Sequence, residues 1–315
     1  MKKQKAKAKV ELFCYTDESG NTGSEIFDCA QPYFWTGTLV SPVDLEKVGA
    51  EALEEWTAVV GAAELHANHL GVGRIETIAR SIEKFLTDHK CVFIFTRVEK
   101  RHMAGTKLVD TLLDSGINKA VSMVHYANRT FRLMLTVEIV RNLSRRDEET
   151  FWSLYKTGDA DAFVTVLTHL QGRVFERIAD PRAKALLLDA IHWGLENPKV
   201  LLESSLGPID SPNMVAFSLL LGSLANFCKG TPYQIGKFYH DEQNQFAKEM
   251  ASTYDIIKNI ATKTDPFAII EPMTRVDTCP CPLTISSSTQ LVGLQLVDVV
   301  LWLTKRNAEG LLDER

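Results

Sequence analysis

Residues 10–20 of the chain read VELFCYTDESG. The apolar segment 10–16 predicts a largely buried strand, and the turn-forming residues after it predict that the strand ends before Asp17. The carboxylate of Asp17 is therefore expected at the end of a strand. Because aspartate is also favoured in turns, the pattern alone leaves two interpretations of Asp17 open, a turn residue or a ligand.

A second acidic residue, Asp298, lies within a segment that is apolar on nearly every side. Residues 291–303 read LVGLQLVDVVLWL, which predicts a helix without a solvated stripe for Asp298. An unpaired carboxylate buried in such a helix costs several kcal/mol, and a bound cation offsets that cost. The composition of this helix therefore favours a cation-binding role for Asp298.

Strand and helix patterns follow each other along the rest of the chain. Aromatic and β-branched residues predict strands at 32–40, 91–98, 233–240, 268–270 and 283–285. The first of these should pair with the initial strand as a hairpin. Helices are predicted at 42–60 with Ser41 as the N-cap, at 75–86, at 243–262 and at 291–303.

These segments predict an α/β fold, with a mixed sheet and helices packed on it. Between residues 100 and 230, apolar residues recur at helical spacing with few strand-like segments. The predicted organisation is therefore a basic flexible tail at 1–9, a sheet domain formed by 10–99 and 231–315, and a long helical insertion at 100–230.

The composition indicates an ordinary globular protein. The chain has 315 residues, of which 45% are hydrophobic and 24% are charged. No apolar stretch reaches the roughly 20 residues of a bilayer span, and the lysine-rich start lacks the apolar segment of a signal peptide. We therefore expect a cytoplasmic protein without a membrane partner. The six cysteines form no disulfide framework, and Cys279-Pro280-Cys281 is only a weak zinc signal.

The net charge of -5 gives no global attraction to nucleic acid. A polynucleotide partner must therefore be held by local basic patches or through metal ions. The candidates are the tail at 1–9 and Arg141, Arg145 and Arg146, and each is either a phosphate contact or a solvated surface residue.

Two further carboxylates complete a set of four. Asp241 follows the strand at 233–240, where it either ends the strand or acts as a ligand. Glu64 lies at 62–67, where it is either a helix surface residue or a ligand. Four carboxylates from separate elements match the hard oxygen ligands that Mg2+ and Mn2+ prefer. Two such ions activate a water and stabilise the leaving oxygen of a phosphodiester.

Other polar residues lie beside these carboxylates. Glu18 and Glu242 are direct neighbours of the aspartates, but adjacent strand residues point in opposite directions, so only one of each pair should face the site. His66 and His69 lie three positions apart beside Glu64, either near a metal or as hydrogen-bonded or exposed histidines. The candidate additional site residues are Glu18, His66 and Gln295.

The chain resembles the uncharacterised domain of unknown function 3800 family, whose members resemble the ribonuclease H-like fold. The resemblance covers nearly the whole chain. Its matching residues are Asp17-Glu18-Ser19-Gly20, the strand at 37–40, Glu64-Leu65-His66, Tyr126, Asp241 and Gln295-Leu296-Val297-Asp298. Family members often carry a lysine where this chain has His66.

The resemblance implies a ribonuclease H-like catalytic domain at 10–99 and 231–315. It assigns the metal-ligand and catalytic roles to Asp17, Glu64, Asp241 and Asp298, with Mg2+ or Mn2+ as cofactor. The leading hypothesis is a metal-dependent nuclease that cleaves DNA or RNA with two metal ions. The alternatives are an actin-like nucleotide-binding ATPase and a non-catalytic nucleic-acid-binding module of the same fold. The sequence leaves the oligomeric state open, a homodimer included.

Overall fold

The computed structural model describes residues 9–20, 25–124, 128–205, 211–242, 247–260 and 281–311. Within them, one sheet has the strand order β3-β2-β1-β4-β5. The strands are β1 (Val10–Ser19), β2 (Tyr33–Ser41), β3 (Val92–Glu99), β4 (Tyr233–Asp241) and β5 (Leu283–Ser286). Strand β2 pairs antiparallel with β1 and β3, whereas β4 pairs parallel with β1 and β5. The predicted α/β fold with a mixed sheet is confirmed, as is the hairpin of β1 and β2.

Helices connect the strands and flank the sheet. Those between β2 and β3 are α1 (Leu45–Val48), α2 (Ala50–Val60) and α3 (Ala67–Asp88). Those between β3 and β4 are α4 (Met103–Leu113), α5 (Arg129–Asn142), α6 (Arg145–Thr157), α7 (Ala160–Arg177), α8 (Pro181–Glu196), α9 (Pro198–Ser205) and α10 (Pro212–Cys228). Helix α11 (Ala247–Ile260) follows β4, and α12 (Val292–Ala308) follows β5.

The two faces of the sheet carry different helices, because alternate strand residues point in opposite directions. Tyr15 and Leu39 pack with apolar residues of α2, α3 and α12 on one face. Cys14 and Phe238 pack with α10 and α11 on the other. A third apolar cluster fills the bundle of α4 to α9. Helix α10 therefore covers the sheet, although it lies within the segment predicted as an insertion.

The predicted start of the first helix is wrong. Ser41 is the last residue of β2, and α1 begins at Leu45. The hydroxyl of Ser41 bonds locally to Val43, accepting from its N–H at 3.1 Å and donating to its carbonyl at 2.8 Å. Such a short side-chain-to-backbone turn competes with helix formation, and it delays the helix by three residues.

Helix α12 lies directly on β1. Gly293 makes this approach possible, because a Cβ at that position would overlap the ring of Tyr15. The carboxylate of Glu46 accepts hydrogen bonds from the first backbone N–H groups of α12, at 2.8 Å from Val292 and 3.1 Å from Gly293. These groups have no partner within the helix itself, so Glu46 fixes the start of α12 against the sheet.

Several predictions fall outside the described residues. These are the strand at 268–270, Tyr126, Cys279 and all of the tail except Lys9. No helix within the described ranges is long and apolar enough to cross a membrane.

Candidate functional site

Asp17 and Asp241 lie at the same edge of the sheet. Strands β1 and β4 run parallel, and Thr16 pairs with His240 immediately before the two aspartates. The predicted strand end before Asp17 is wrong, because pairing with β2 continues to Ser19. Asp17 is therefore a strand residue with 9% exposure, and the interpretation as a turn residue is excluded. Asp241 is the last residue of β4.

Asp298 lies half-buried on α12, and its carboxylate contacts the start of α3. Its Oδ2 accepts a hydrogen bond of 2.7 Å from the backbone N–H of Ala67. One turn earlier, Oε1 of the buried Gln295 accepts a bond of 2.8 Å from Leu65 N–H. Both side chains of α12 therefore hold the segment between α2 and α3 in place.

Glu64 lies in that segment, outside any helix. The interpretation of Glu64 as a helix surface residue is therefore excluded. Its side chain is half-buried, and its charge raises the pKa of Asp298 among other causes. Glu64 thus lies close enough to α12 for its charge to act on Asp298.

The carboxylates interact through their charges. Burial raises the pKa of Asp17 well above its usual range, and the charges of Asp298 and Asp241 raise it further. The N–H of Glu18, which donates to Asp17 Oδ1 at 2.7 Å, opposes this shift. All four carboxylates predicted from the sequence are thus connected, since Glu64 also acts on Asp298.

The other two aspartates show the same direction of shift. Burial raises the pKa of Asp241, while backbone N–H groups of Glu242 and Ser288 lower it. Burial also raises the pKa of Asp298, and the Ala67 N–H opposes that rise. Within the described ranges, no lysine or arginine forms an ion pair with Asp17, Asp241 or Asp298.

Glu18 points away from Asp17, as expected for neighbouring strand residues. Its Oε2 lies 3.5 Å from Nε2 of His240, which is 1% exposed. The Nδ1 of His240 lies 3.0 Å from its acceptor, the carbonyl of Asp241. Burial lowers the pKa of His240 to about 4, so this histidine is neutral at pH 7. Glu242 is exposed.

His66 faces the carboxylates from the start of α3. Its ring stacks on His69 with a centroid separation of 4.1 Å, and its charge lowers the pKa of both Asp241 and Asp298. Its Nδ1 is buried and has no hydrogen-bond partner among the described residues. His69 itself is exposed. The structure therefore brings His66 to the site and leaves His69 at its margin.

The donor types and charges of these residues fit a divalent cation. Carboxylate oxygens are the ligands that Mg2+ and Mn2+ prefer, and a cation relieves the repulsion among the buried carboxylates. Within the described part of the chain, however, no group of three or more His, Cys, Asp and Glu side chains is already arranged to hold a metal ion.

The predicted arginine contacts lie on the helical bundle. Arg145 forms an ion pair of 2.6 Å with Glu149 and stacks on Phe27 at 4.1 Å. Arg141 and Arg146 are exposed.

Sequence reasoning missed Glu46, because no local pattern connects that residue with the start of α12 some 246 positions later.

No family model, curated protein or solved structure matches the chain. The relation to the domain of unknown function 3800 family therefore stays a prediction.

Proposed function

We propose that the chain is a divalent-metal-dependent phosphodiesterase that cleaves nucleic acid on a ribonuclease H-like scaffold. One observation carries the proposal: the charges of Asp298 and Asp241 raise the pKa of the buried Asp17, and the charge of Asp241 raises the pKa of the half-buried Asp298. Such a cluster opposes folding, and carboxylates with strongly shifted pKa values concentrate at functional sites.

Asp17, Glu64, Asp241 and Asp298 would hold Mg2+ or Mn2+. When bound, such ions lower the pKa of a bound water and stabilise the leaving oxygen of a phosphodiester. The protein's own groups orient the ligands. The N–H groups of Glu18 and Ala67 fix one oxygen each of Asp17 and Asp298.

Two further residues act beside the ligands. Gln295 holds the segment that carries Glu64, through its bond to Leu65. His66 presents a buried Nδ1 without a partner among the described residues, next to Asp241 and Asp298. That atom is the group we propose for holding or releasing a proton during cleavage.

The proposal is tested by cleavage of fluorescent single-stranded DNA and RNA in Mn2+. Asp17→Asn and Asp241→Asn each remove a charged ligand at constant size, and we expect cleavage to fall roughly 100-fold or more. Asp88→Asn is the matched control, because Asp88 is exposed and pairs only with Lys84 in the described structure. Near-wild-type turnover of either site variant at saturating Mn2+ would show that the proposed site is wrong.

Calorimetry separates this function from the nucleotide-binding alternative. A nuclease of this kind binds Mn2+ without nucleotide, and Asp17→Asn should weaken that binding. An actin-like ATPase instead binds ATP together with Mg2+. A non-catalytic module binds the oligonucleotide and leaves it intact.

A further inference from the structure

A group of cationic and hydroxyl side chains lies beyond the carboxylates, at the carboxyl end of β1. Ser19 is the last residue of β1, and its Oγ accepts a hydrogen bond of 3.3 Å from Nζ of Lys305 on α12. Lys100 follows β3 directly, where its backbone N–H donates to the carbonyl of Pro32 at 3.0 Å. The chain thus brings two lysines to the edge of the sheet that also carries Asp17.

Lys100 is unusual because it is fully buried. Its exposure is 0%, and its Nζ has no hydrogen-bond partner among the described residues. Neighbouring Arg101, in contrast, pairs with Glu99 at 2.6 Å. Burial of an ammonium group without a partner costs several kcal/mol, and an anion bound to Lys100 Nζ would reduce that cost.

The charge of Lys305 also acts on Lys100. Burial lowers the pKa of Lys100, the charge of Asp28 opposes this, and the like charge of Lys305 lowers it further. Two ammonium groups in electrostatic reach of each other repel, and a shared anion removes the repulsion. Asp28 already accepts a hydrogen bond from the N–H of Ala30 at 2.8 Å.

Helix α12 sets the position of this group relative to the proposed metal ligands. Lys305 follows Asp298 by seven residues, which is two turns or about 10 Å along the same helix face. The end of α12 is fixed to the sheet, since Trp35 Nε1 donates to Glu309 Oε1 at 3.3 Å. One rigid element therefore carries both an anionic site and, two turns later, a cation.

We propose that Lys100, Lys305 and Ser19 form an anion site that holds a phosphate of the substrate strand beside the carboxylates. The two ammonium groups and the hydroxyl are donors, and a phosphodiester supplies acceptor oxygens with one negative charge. In a chain of net charge -5, a local cationic site also determines where a polyanion can approach the acidic centre. The identity of the strand rests on the proposed function, whereas the anion site does not.

The first test uses inorganic phosphate without metal, in EDTA, with sodium chloride of equal ionic strength as reference. We expect phosphate to raise the melting temperature of the wild type and to have no such effect on Lys305→Gln or Lys100→Met. The control is Lys84→Gln, whose lysine is exposed and pairs with Asp88. It should respond like the wild type.

Lys100→Met also reports on the buried charge itself. Replacing an unpartnered buried ammonium by an apolar side chain of similar length should raise the melting temperature in phosphate-free buffer. A wild type that responds to phosphate no more than to chloride overturns the proposal. So does a Lys305→Gln protein that responds as fully as the wild type.

The second test measures binding of a single-stranded DNA oligonucleotide to metal-free protein across salt concentrations. Each lysine substitution should weaken binding about tenfold, the loss of one charged hydrogen bond, and should lower the salt slope by about one unit. Unchanged affinity and slope in both variants contradict the anion site.

Each of the two proposals can be contradicted while the other stands. If phosphate protects the wild type but not the lysine variants, and no metal-dependent cleavage is found, the anion site stands and the nuclease function is wrong. If Asp17→Asn abolishes cleavage while the lysine variants keep the wild-type phosphate response and salt slope, the nuclease function stands and the anion site is wrong.

Discussion

The backbone N–H of Ala67 donates a hydrogen bond of 2.7 Å to Oδ2 of Asp298, across 231 positions of the chain. The bond joins the first residue of α3 to the middle of α12 and orients one carboxylate oxygen. Among the described residues, the other oxygen, Oδ1, accepts no hydrogen bond. Asp298 is therefore both a structural acceptor and a member of the acidic cluster, and substitutions at this position separate the two roles.

Asp298→Asn keeps an oxygen that accepts from Ala67 but removes the charge that repels Asp17 and Asp241. Without metal, we expect the variant to melt at or above the temperature of the wild type. A ligand at 100 times its Kd stabilises the native state by about 2.7 kcal/mol, so Mn2+ should raise the melting temperature of the wild type by several degrees. Asp298→Asn should respond much less. A full metal shift in the variant would mean that Asp298 is only structural.

Gln295→Leu removes the acceptor for the N–H of Leu65 and leaves that buried group without a partner. We expect the free energy of unfolding to fall by about 1–3 kcal/mol. The segment that carries Glu64 should also be positioned less firmly against α12. Mn2+ affinity, measured by calorimetry on the folded variant, should fall about tenfold. Gln290→Leu is the control, since Gln290 is exposed. Equal Mn2+ affinity in the two variants would remove Gln295 from the site.

Gly293→Ala tests the contact between α12 and β1. Alanine normally stabilises a helix interior by about 1 kcal/mol relative to glycine. At position 293 the added Cβ meets the ring of Tyr15, and we expect a net destabilisation of about 1–3 kcal/mol. Gly172→Ala on α7 has open space around the new Cβ and should be neutral or stabilising. Urea unfolding of both variants measures the difference, and a stabilised Gly293→Ala would contradict this packing.

Asp147 provides a pH-dependent test in the helical bundle. Burial opposes its ionisation, but hydrogen bonds from Ser144, His169 and Arg173 hold the pKa of Asp147 well below its usual range. Because the folded pKa is depressed, the stabilisation is present above the unfolded value of about 3.9 and is lost as the pH falls through the folded pKa.

The corresponding variant is Asp147→Asn, which leaves Arg173 without its anionic partner. We expect a loss of roughly 3 kcal/mol at pH 7, and the difference from the wild type should shrink steadily below pH 4. Melting curves from pH 3 to 7 measure it, and Asp159→Asn at another helix start is a control with a smaller effect. A difference that stays constant across this range would contradict the depressed pKa.

Deletion of residues 1–9 tests the predicted basic tail. Each phosphate contact that the tail makes should add about one unit to the salt slope of oligonucleotide binding, so deletion should reduce the slope accordingly. Arg146→Gln tests an exposed arginine of the bundle in the same assay. An unchanged slope after deletion would mean that the tail is only solvated.

Local patterns alone predicted most of the elements. Alternating and continuous apolar runs predicted β1 to β4, and the apolar segment around Asp298 predicted α12. These patterns are visible because buried apolar residues recur at a regular spacing along a strand or a helix. Asp298 was singled out for the same reason, since an acidic residue in an apolar segment is conspicuous without any knowledge of the fold. Asp17 and Asp241 were singled out because each follows a predicted strand, whereas the role of Glu64 depended on the family resemblance.

What depends on distant partners could not be predicted in this way. Strand β1 extends to Ser19 because β2 pairs with it there, and Glu64 lies in a loop that Gln295 and Asp298 hold from the far end of the chain. Lys100 looks like an ordinary surface lysine until the fold buries it near Lys305. The sequence by itself thus determined which segments become strands and helices and which acidic residues stand out. Only the tertiary structure decided which of these groups meet, because burial, pairing and charge repulsion between residues far apart in the chain arise from packing.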